Sequence, residues 1–313
     1  MINQSQISFS VIMPLYNKAK YVERSITSVL KQSYDHYEIV IVNDGSTDSS
    51  LEIARKYESG KVRVLDQSNR GVSSARNVGI ENSSHEYLCF LDADDSWKPN
   101  FLEVLRGMIN AYPDAGLYAT SYQIFEYGKK TRNAMVNTNI AGEKMGILPD
   151  FFKAYTIGDS PLHMSSLCIP RRVFNDIDGF PEGERWGEDL DVFGRVAFRY
   201  PIIFSKEVCT DCRRDAEGRA CNSYDRHSDW VFFKNAMDEL KGNHLAERTK
   251  AELKDYLNYK RMEIVVRSVK AGNYEHAWRM LYGIDPDKLF RGKSLYFLFE
   301  KVQRKLTNFL KKA

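Results

Sequence analysis

A chain of 313 residues, 43% hydrophobic and 28% charged, has the composition of an ordinary globular protein and the length for one large domain with an appendage. Its formal net charge of +3 gives no reason to expect a nucleic-acid partner, although from Lys241 onward 17 Lys and Arg stand against 8 Asp and Glu, leaving −6 on the first 240 residues. No stretch reaches the roughly 20 apolar residues that cross a bilayer, and residues 1–8 lack both a basic n-region and an apolar h-region, so the expected location is cytoplasmic. Five cysteines, with Cys89 in a strand pattern and Cys168 in an apolar run, fit reduced thiols there.

Residues 9–15 (FSVIMPL) form a β-rich run stopped by Pro14 and Asn17, after which Val22, Ile26, Val29 and Leu30 recur at helical spacing. Residues 38–42 (EIVIV) read as a buried strand ending in Asn43-Asp44-Gly45-Ser46, and Ser49-x-x-Glu52 as a capping box that opens a second helix. A third strand over 62–65, a short helix over 72–80 and a fourth strand over 87–91 follow. The helix expected over 99–112 turns Phe101, Leu102, Leu105, Met108 and Ile109 inward. The alternation predicts an α/β fold with a mostly parallel sheet flanked by helices.

Another strand is expected over 116–125, then a polar and mobile loop over 126–144. Val192, Phe193 and Val196 give the apolar face of a later helix, with Asp189 in its first turn, where the helix dipole favours a negative charge. Beyond about Ser223 only helical patterns remain, near 225–240, 245–270, 274–281 and 295–310. The expected division is therefore 1–222 for the α/β domain and 223–313 for a C-terminal α-helical region, either membrane-associating or oligomerising. The last segment carries Leu295, Leu298, Phe299, Val302, Leu306, Phe309 and Leu310 at helical spacing, with Lys301, Arg304, Lys305, Lys311 and Lys312 around them. It reads either as an ordinary packing helix or as a basic amphipathic helix lying on an anionic membrane.

Residues 87–95 (YLCFLDADD) hold the densest chemistry, because an apolar strand ends in Asp92, Asp94 and Asp95. Carboxylates this close repel one another, and either a pKa rises or a cation neutralises them; Mg²⁺ or Mn²⁺ suits carboxylate oxygens. The alternative is a polar turn in which Ser96 or Asp95 caps the helix that Pro99 opens. In parallel sheets ligands bind beyond the carboxyl ends of the strands, where this chain places Tyr16, Asn17, Asp44, Asp92, Asp94 and Asp95. Neither G-x-G-x-x-G after the first strand nor G-x-x-x-x-G-K-[ST] is present, which removes support for a dinucleotide dehydrogenase or a P-loop enzyme.

Five segments in order resemble a known signature: 11–17 (VIMPLYN), 42–48 (VNDGSTD), Asn69-Arg70-Gly71 with Ala75-Arg76-Asn77, 91–95 (LDADD) and 187–191 (GEDLD). Together they are similar to family-two inverting glycosyltransferases with the GT-A (nucleotide-diphospho-sugar transferase) fold, over about residues 8–200. The resemblance implies a nucleoside diphosphate sugar donor, usually UDP-linked, a glycan or lipid-linked acceptor hydroxyl, and Mn²⁺ or Mg²⁺ as cofactor. At the donor it implies Pro14, Tyr16, Asn17, Asp44, Arg76, Asp92 and Ala93. Asp44 then accepts a hydrogen bond from the base, or is a turn residue beside Gly45. Tyr16 stacks on the base or simply packs, and Arg76 grips donor oxygens or is a surface charge. Asp94, with Asp92, is the implied metal ligand, and Asp189 the general base. Trp186, Glu188 and His163 are the acceptor-side candidates, with Asp191 as a further positioning carboxylate. The Q-x-x-R-W pattern of processive synthases is absent, which fits single-sugar addition.

Some relatives supply a metal-binding histidine after the base; here the region reads Cys209-Thr210-Asp211-Cys212, so the third ligand is unassigned. Cys209, Cys212, Cys221 and His227 have a zinc-like composition that also arises by chance. Two rivals stand beside the glycosyltransferase reading: a nucleotidyltransferase, and a non-catalytic nucleotide-sugar or glycan-binding module. Peripheral contact with the inner face of an anionic membrane is a further expectation from the basic tail.

Overall fold

The computed structural model describes residues 6–126, 129–136, 140, 144–156, 158–184, 187–217, 231–242 and 245–282. Strands β1 (Phe9–Leu15), β2 (Tyr37–Asp44), β3 (Val62–Gln67) and β4 (Tyr87–Phe90) pair in the order β3-β2-β1-β4, all parallel. Helices α1 (Val22–Leu30), α2 (Ser50–Arg55) and α3 (Val72–Glu81) make the crossovers. β1 and β2 are buried almost throughout because helices cover both faces, which is why they read as unbroken apolar runs. The chain leaves β1 toward β2 on one side and receives β4 on the other, which opens a crevice beyond their carboxyl ends.

The second half of the ten-stranded sheet is mixed. It adds β5 (Ser96–Trp97), β6 (Leu117–Glu126), β7 (Lys129–Asn133), β8 (Met145–Ile147), β9 (Leu167–Pro170) and β10 (Ile202–Arg213). β9 lies antiparallel between β4 and β6, β10 runs parallel to β6, and β5, β7 and β8 pair antiparallel. Helix α4 (Phe101–Ala111) buries the five apolar side chains expected from its spacing. α3 instead buries Ser73, Ser74, Ala75, Arg76 and Gly79, a small-residue face that settles close to β1. A Cβ on Gly79 would come within 2.4 Å of Ile12 Cγ2, so this close approach depends on glycine.

Three local expectations change. Ser49 makes no side-chain capping bond at α2; Asp48 Oδ1 accepts from the Ser50 N–H at 2.9 Å instead, one residue earlier than the capping-box pattern. Neither Asp95 nor Ser96 caps a helix: Ser96 begins β5, and α4 starts after Asn100. The polar 126–144 stretch contains β7, an edge strand whose Lys-Lys-Thr-Arg-Asn sequence has no apolar alternation to reveal it. β10 is hidden for another reason. Lys206 and Glu207 interrupt it, and register shifts at Ser205/Val208 and Val208/Thr210 break the two-residue period.

Helices α5 (Phe151–Ala154), α6 (Arg171–Ile177) and α7 (Glu188–Ala197) are followed by α8 (Val231–Lys241), α9 (Glu247–Lys270) and α10 (Tyr274–Tyr282). Phe232 of α8 and Tyr256 of α9 join Phe152 and Phe193 in one core cluster, with the Phe152 and Tyr256 rings 5.8 Å apart. Gly194 of α7 permits this, because a Cβ there would lie 2.4 Å from Phe232 Cε2. The amphipathic 295–310 segment lies outside the described residues. Among the described residues no helix is long and apolar enough to cross a membrane.

Candidate active site

The carboxyl ends of β1, β2 and β4 gather the polar residues expected from the sequence. Tyr16 stands 46% exposed just after β1, open to stacking, while Pro14 lies within β1 opposite Val42. Asn17 adopts the left-handed conformation (φ 50°), its N–H donating to Ser46 Oγ at 3.1 Å and its Oδ1 accepting from the Thr47 N–H at 2.8 Å. These bonds tie the loop after β1 to the loop after β2. Asp44 is buried at 3% exposure: Oδ1 accepts from Gln67 Nε2 and the Arg70 N–H, and Oδ2 from the Gly71 N–H. A carboxylate offers about four acceptor positions, so these three bonds organise the loop before α3 and leave capacity for a ligand N–H.

After β4, the three aspartates separate. Asp92 Oδ1 accepts from Arg76 Nη2 at 3.0 Å, and its backbone N–H donates to Ser165 Oγ. Asp94 is paired with Lys18, Oδ2 to Nζ being 2.8 Å. Asp95 is the deepest: Ser165 Oγ donates to its Oδ2 at 2.6 Å and the Arg213 N–H to its Oδ1 at 2.8 Å. Burial, reinforced by Asp94 and Asp92, pushes the Asp95 carboxyl well above the usual range. Ser25 Oγ sits within 2.9 Å of the Ala93 carbonyl and 2.6 Å of the Asp95 carbonyl, which pins the turn.

Arg76 is buried and forked. Nη1 donates to Glu188 Oε1 and Nη2 to Asp92 Oδ1, both at 3.0 Å, with Phe180 beneath the guanidinium at 5.3 Å. Burial alone lowers its pKa, but Asp92 and Glu188 more than offset this and raise it. The arginine is therefore not a surface charge; it joins the acidic strand end to the first turn of α7. There Asp189, partly buried, has a pKa raised to about 6, chiefly by burial and then by Glu188. Asp191, by contrast, is turned into the core, bound by Arg195 Nε at 2.7 Å and Asn235 Nδ2 at 2.7 Å. Its carboxylate belongs to the α7–α8 contact.

His163 packs on Tyr122 with its Nε2 3.1 Å from Cys212 Sγ and its Nδ1 3.7 Å from Asp95 Oδ2. Cys209 and Cys212 do not share a site, since Cys209 belongs to the core cluster under α1 and α4 and Cys212 to a separate one with Tyr122. Burial pushes the Cys209 thiol up to about 12, away from metal-ligand chemistry. That corrects half of the zinc composition; Cys221 and His227 lie outside the described residues, as does Trp186. Cys89, Cys168, Cys209 and Cys212 form no disulfide among the described residues. Lys18, Ser165 and Arg24, whose Nη2 donates to the Asp94 carbonyl, were not picked out from sequence; the available signal was that Lys18 directly follows Tyr16-Asn17.

A model of glycosyl transferase family 2 matches residues 10–170, just over half of the chain. The chain belongs to this family. An uncharacterised glycosyltransferase of Rickettsia prowazekii is 30% identical over 245 residues, 75% of each chain. The glycosyltransferase GlyG of Streptococcus pneumoniae is 30% identical over 207 residues, covering 62% of this chain and 67% of that one. Matches to uncharacterised glycosyltransferases of Rickettsia felis and Rickettsia conorii span 34% of those longer proteins and 66% of this chain. Among solved structures, this family-2 chain superposes on Staphylococcus aureus TarS 1-349 in complex with UDP-GlcNAc with a TM-score of 0.75 and 19% identity, covering 97% of this chain and 89% of that one. A mannosyltransferase of Pyrobaculum calidifontis in complex with GDP-Man and Mn²⁺ gives a TM-score of 0.58 at 17% identity, over 97% and 86% of the two chains. These likenesses agree with the GT-A architecture expected from the signature.

Proposed function

We propose that this chain is an inverting, single-addition glycosyltransferase that moves a sugar from a nucleoside diphosphate sugar, UDP-linked, to a hydroxyl of a glycan or lipid-linked saccharide. The observation that carries the reading is the Asp189 carboxyl, with a pKa of about 6, joined through Glu188 and Arg76 to Asp92 at the donor edge. A carboxylate with a pKa near working pH is matched to accept the proton of an attacking hydroxyl. Attack from the face opposite the leaving diphosphate inverts the anomeric carbon.

At the donor, Asp44 keeps acceptor capacity for a base N–H, Tyr16 is exposed for stacking, and Pro14, Asn17 and Ala93 shape the loops around them. Trp186, Glu188 and His163 are the acceptor-side candidates. The carboxylate oxygens of Asp94 and Asp92 are a hard donor set that fits Mn²⁺ or Mg²⁺, and Lys18 beside Asp94 marks the same spot as one that takes a positive charge. Held by Asp94 with Asp92, such an ion supplies charge neutralisation to the leaving diphosphate. The nucleotide sugars named with the two solved neighbours support a donor of this class. In this reading residues 1–222 carry the chemistry, and residues 223–313 brace α7 through Phe232 and offer a basic surface to an anionic membrane.

The deciding experiment is incubation with nucleoside diphosphate sugars and Mn²⁺ or Mg²⁺ in the presence of saccharide acceptors. Release of a nucleoside diphosphate with a β-linked product from an α-linked donor is the expected result. Release of pyrophosphate would establish a nucleotidyltransferase, and donor binding without turnover across an acceptor panel would leave a binding module. For the tail, truncation at residue 290 is expected to reduce sedimentation with anionic vesicles; unchanged sedimentation would make it a packing helix.

A further inference from the structure

Behind the donor edge lies a cluster in which only His163, as an acceptor-side candidate, has been given a part in the proposed reaction. Asp95, His163 and Cys212 each offer one donor atom, and these all lie within 4.8 Å of one another. His163 Nε2 is 3.1 Å from Cys212 Sγ, and its Nδ1 is 3.7 Å from Asp95 Oδ2. The two short contacts use opposite nitrogens of the ring, of which one ion takes one, and four-coordinate ligands at about 2.0–2.3 Å lie roughly 3.3–3.6 Å apart, so the donors close by about 1 Å around a single ion.

The surroundings are built to hold these groups. Asp95 and Cys212 are 2% and 3% exposed. Ser165 donates to both neighbours, from Oγ to Asp95 Oδ2 at 2.6 Å and from its backbone N–H to His163 Nδ1 at 3.3 Å. Its own carbonyl is held by Trp97 Nε1 at 2.6 Å and Thr210 Oγ1 at 3.1 Å. Tyr122 packs on the imidazole with ring centroids 5.1 Å apart. The Ser165 Oγ bond holds Asp95 and the Tyr122 ring holds the imidazole, whereas an ion on Nδ1 takes the place of the long Ser165 N–H bond. His163 keeps 21% of its side chain in solvent.

We propose that Asp95, His163 and Cys212 form a second cation site, distinct from the Asp94 carboxylate, that takes a borderline-soft divalent ion of the Zn²⁺ class. The donor set decides the class: a thiolate and an imidazole favour Zn²⁺ or Co²⁺, whereas Mg²⁺ and Ca²⁺ prefer oxygen alone. Binding replaces the Cys212 thiol proton, which leaves to solvent, so uptake weakens as pH falls. The site stands whether or not Asp189 is the general base.

The test uses the full chain with Co²⁺ and Zn²⁺ alone. Wild-type protein stripped of metal is expected to take up one equivalent of Co²⁺ with a near-ultraviolet thiolate-to-cobalt absorption band, and Zn²⁺ is expected to displace it. Cys212→Ser should lose the band, and His163→Gln should weaken Co²⁺ binding at least about tenfold. Asp94→Asn should keep both, with circular dichroism confirming folded variants; if Cys212→Ser does not fold, His163→Gln carries the test. Absence of the band in wild type, its persistence in Cys212→Ser, unchanged Co²⁺ affinity in His163→Gln, or its loss in Asp94→Asn would each overturn the proposal. The first would leave a plain Asp95–His163–Cys212 hydrogen-bonded cluster, and the last would make the ion the donor-site metal.

Discussion

Arg76 and Glu188 meet at 3.0 Å across 112 residues of sequence, and the other arm of the same guanidinium holds Asp92 at 3.0 Å. One buried cation thereby sets the distance between the donor edge and the helix that carries Asp189. Removing it takes the guanidinium away from two part-buried carboxylates, Asp92 at 33% and Glu188 at 14% exposure. Arg76→Met is expected to cost about 3–5 kcal/mol of folding stability, the usual consequence of breaking a buried ion pair from one side. Urea unfolding monitored by tryptophan fluorescence measures it; Arg76→Lys should recover only part, because an ammonium cannot span both partners as a fork.

Asp189→Asn keeps the shape of the site and removes the proton acceptor. Transfer should fall at least about a hundredfold, the lower end of a general base's contribution, while calorimetric affinity for the nucleoside diphosphate changes little. Equal turnover in the variant would move the base to another group.

The pKa of about 6 on Asp189 also fixes a pH dependence. The base acts ionised, so kcat/KM should rise through about pH 6 and level off above it. Glu188 is the largest charge contribution raising that pKa, so Glu188→Gln should move the acid limb to lower pH. Stability follows the opposite sign. The folded pKa lies above the ordinary aspartate value of 3.8, so the native state holds the proton more tightly, and Asp189's contribution, full below about pH 4, is lost as pH rises through 6. Asp189→Asn should therefore gain stability relative to wild type at pH 8 compared with pH 4, which thermal unfolding at the two pH values will show.

Asp94→Ala is expected to abolish the Mn²⁺-stimulated part of UDP binding in calorimetry, because the variant removes the carboxylate that both Lys18 and a divalent ion can address. Metal-stimulated binding that survives unchanged would assign the ion elsewhere.

Gly45 follows Asp44 at φ 69°, and a Cβ there would lie 2.7 Å from the Asn69 backbone nitrogen. Gly45→Ala should destabilise the fold by about 1–2 kcal/mol from the left-handed conformation alone, more once the Asn69 contact is counted. Because Asp44 organises residues 67–71, the same variant should weaken UDP binding, read in one titration.

The order of strands and helices, the inward face of α4 and the acidic strand ends could be taken from the sequence by itself, because periodicity and turn chemistry are properties of neighbouring residues. Asp44 and Asp92 stood out as carboxylates at strand ends, whereas Asp189, a common residue type in a first helical turn, was singled out by the resemblance of residues 187–191 to a known signature. β10 and β7 were not, since a charged interruption and an all-polar edge strand erase the two-residue signal. Tertiary structure alone decided which groups face each other: Asp48 rather than Ser49 serves α2, Cys209 and Cys212 part company across β10, and Cys212 joins His163 and Asp95 instead. It also placed Arg76 in the interior, between Asp92 and Glu188, instead of on the surface. The reason is physical: a charge buried on a small-residue helix must find its counter-charges wherever packing brings them, here 16 and 112 residues away.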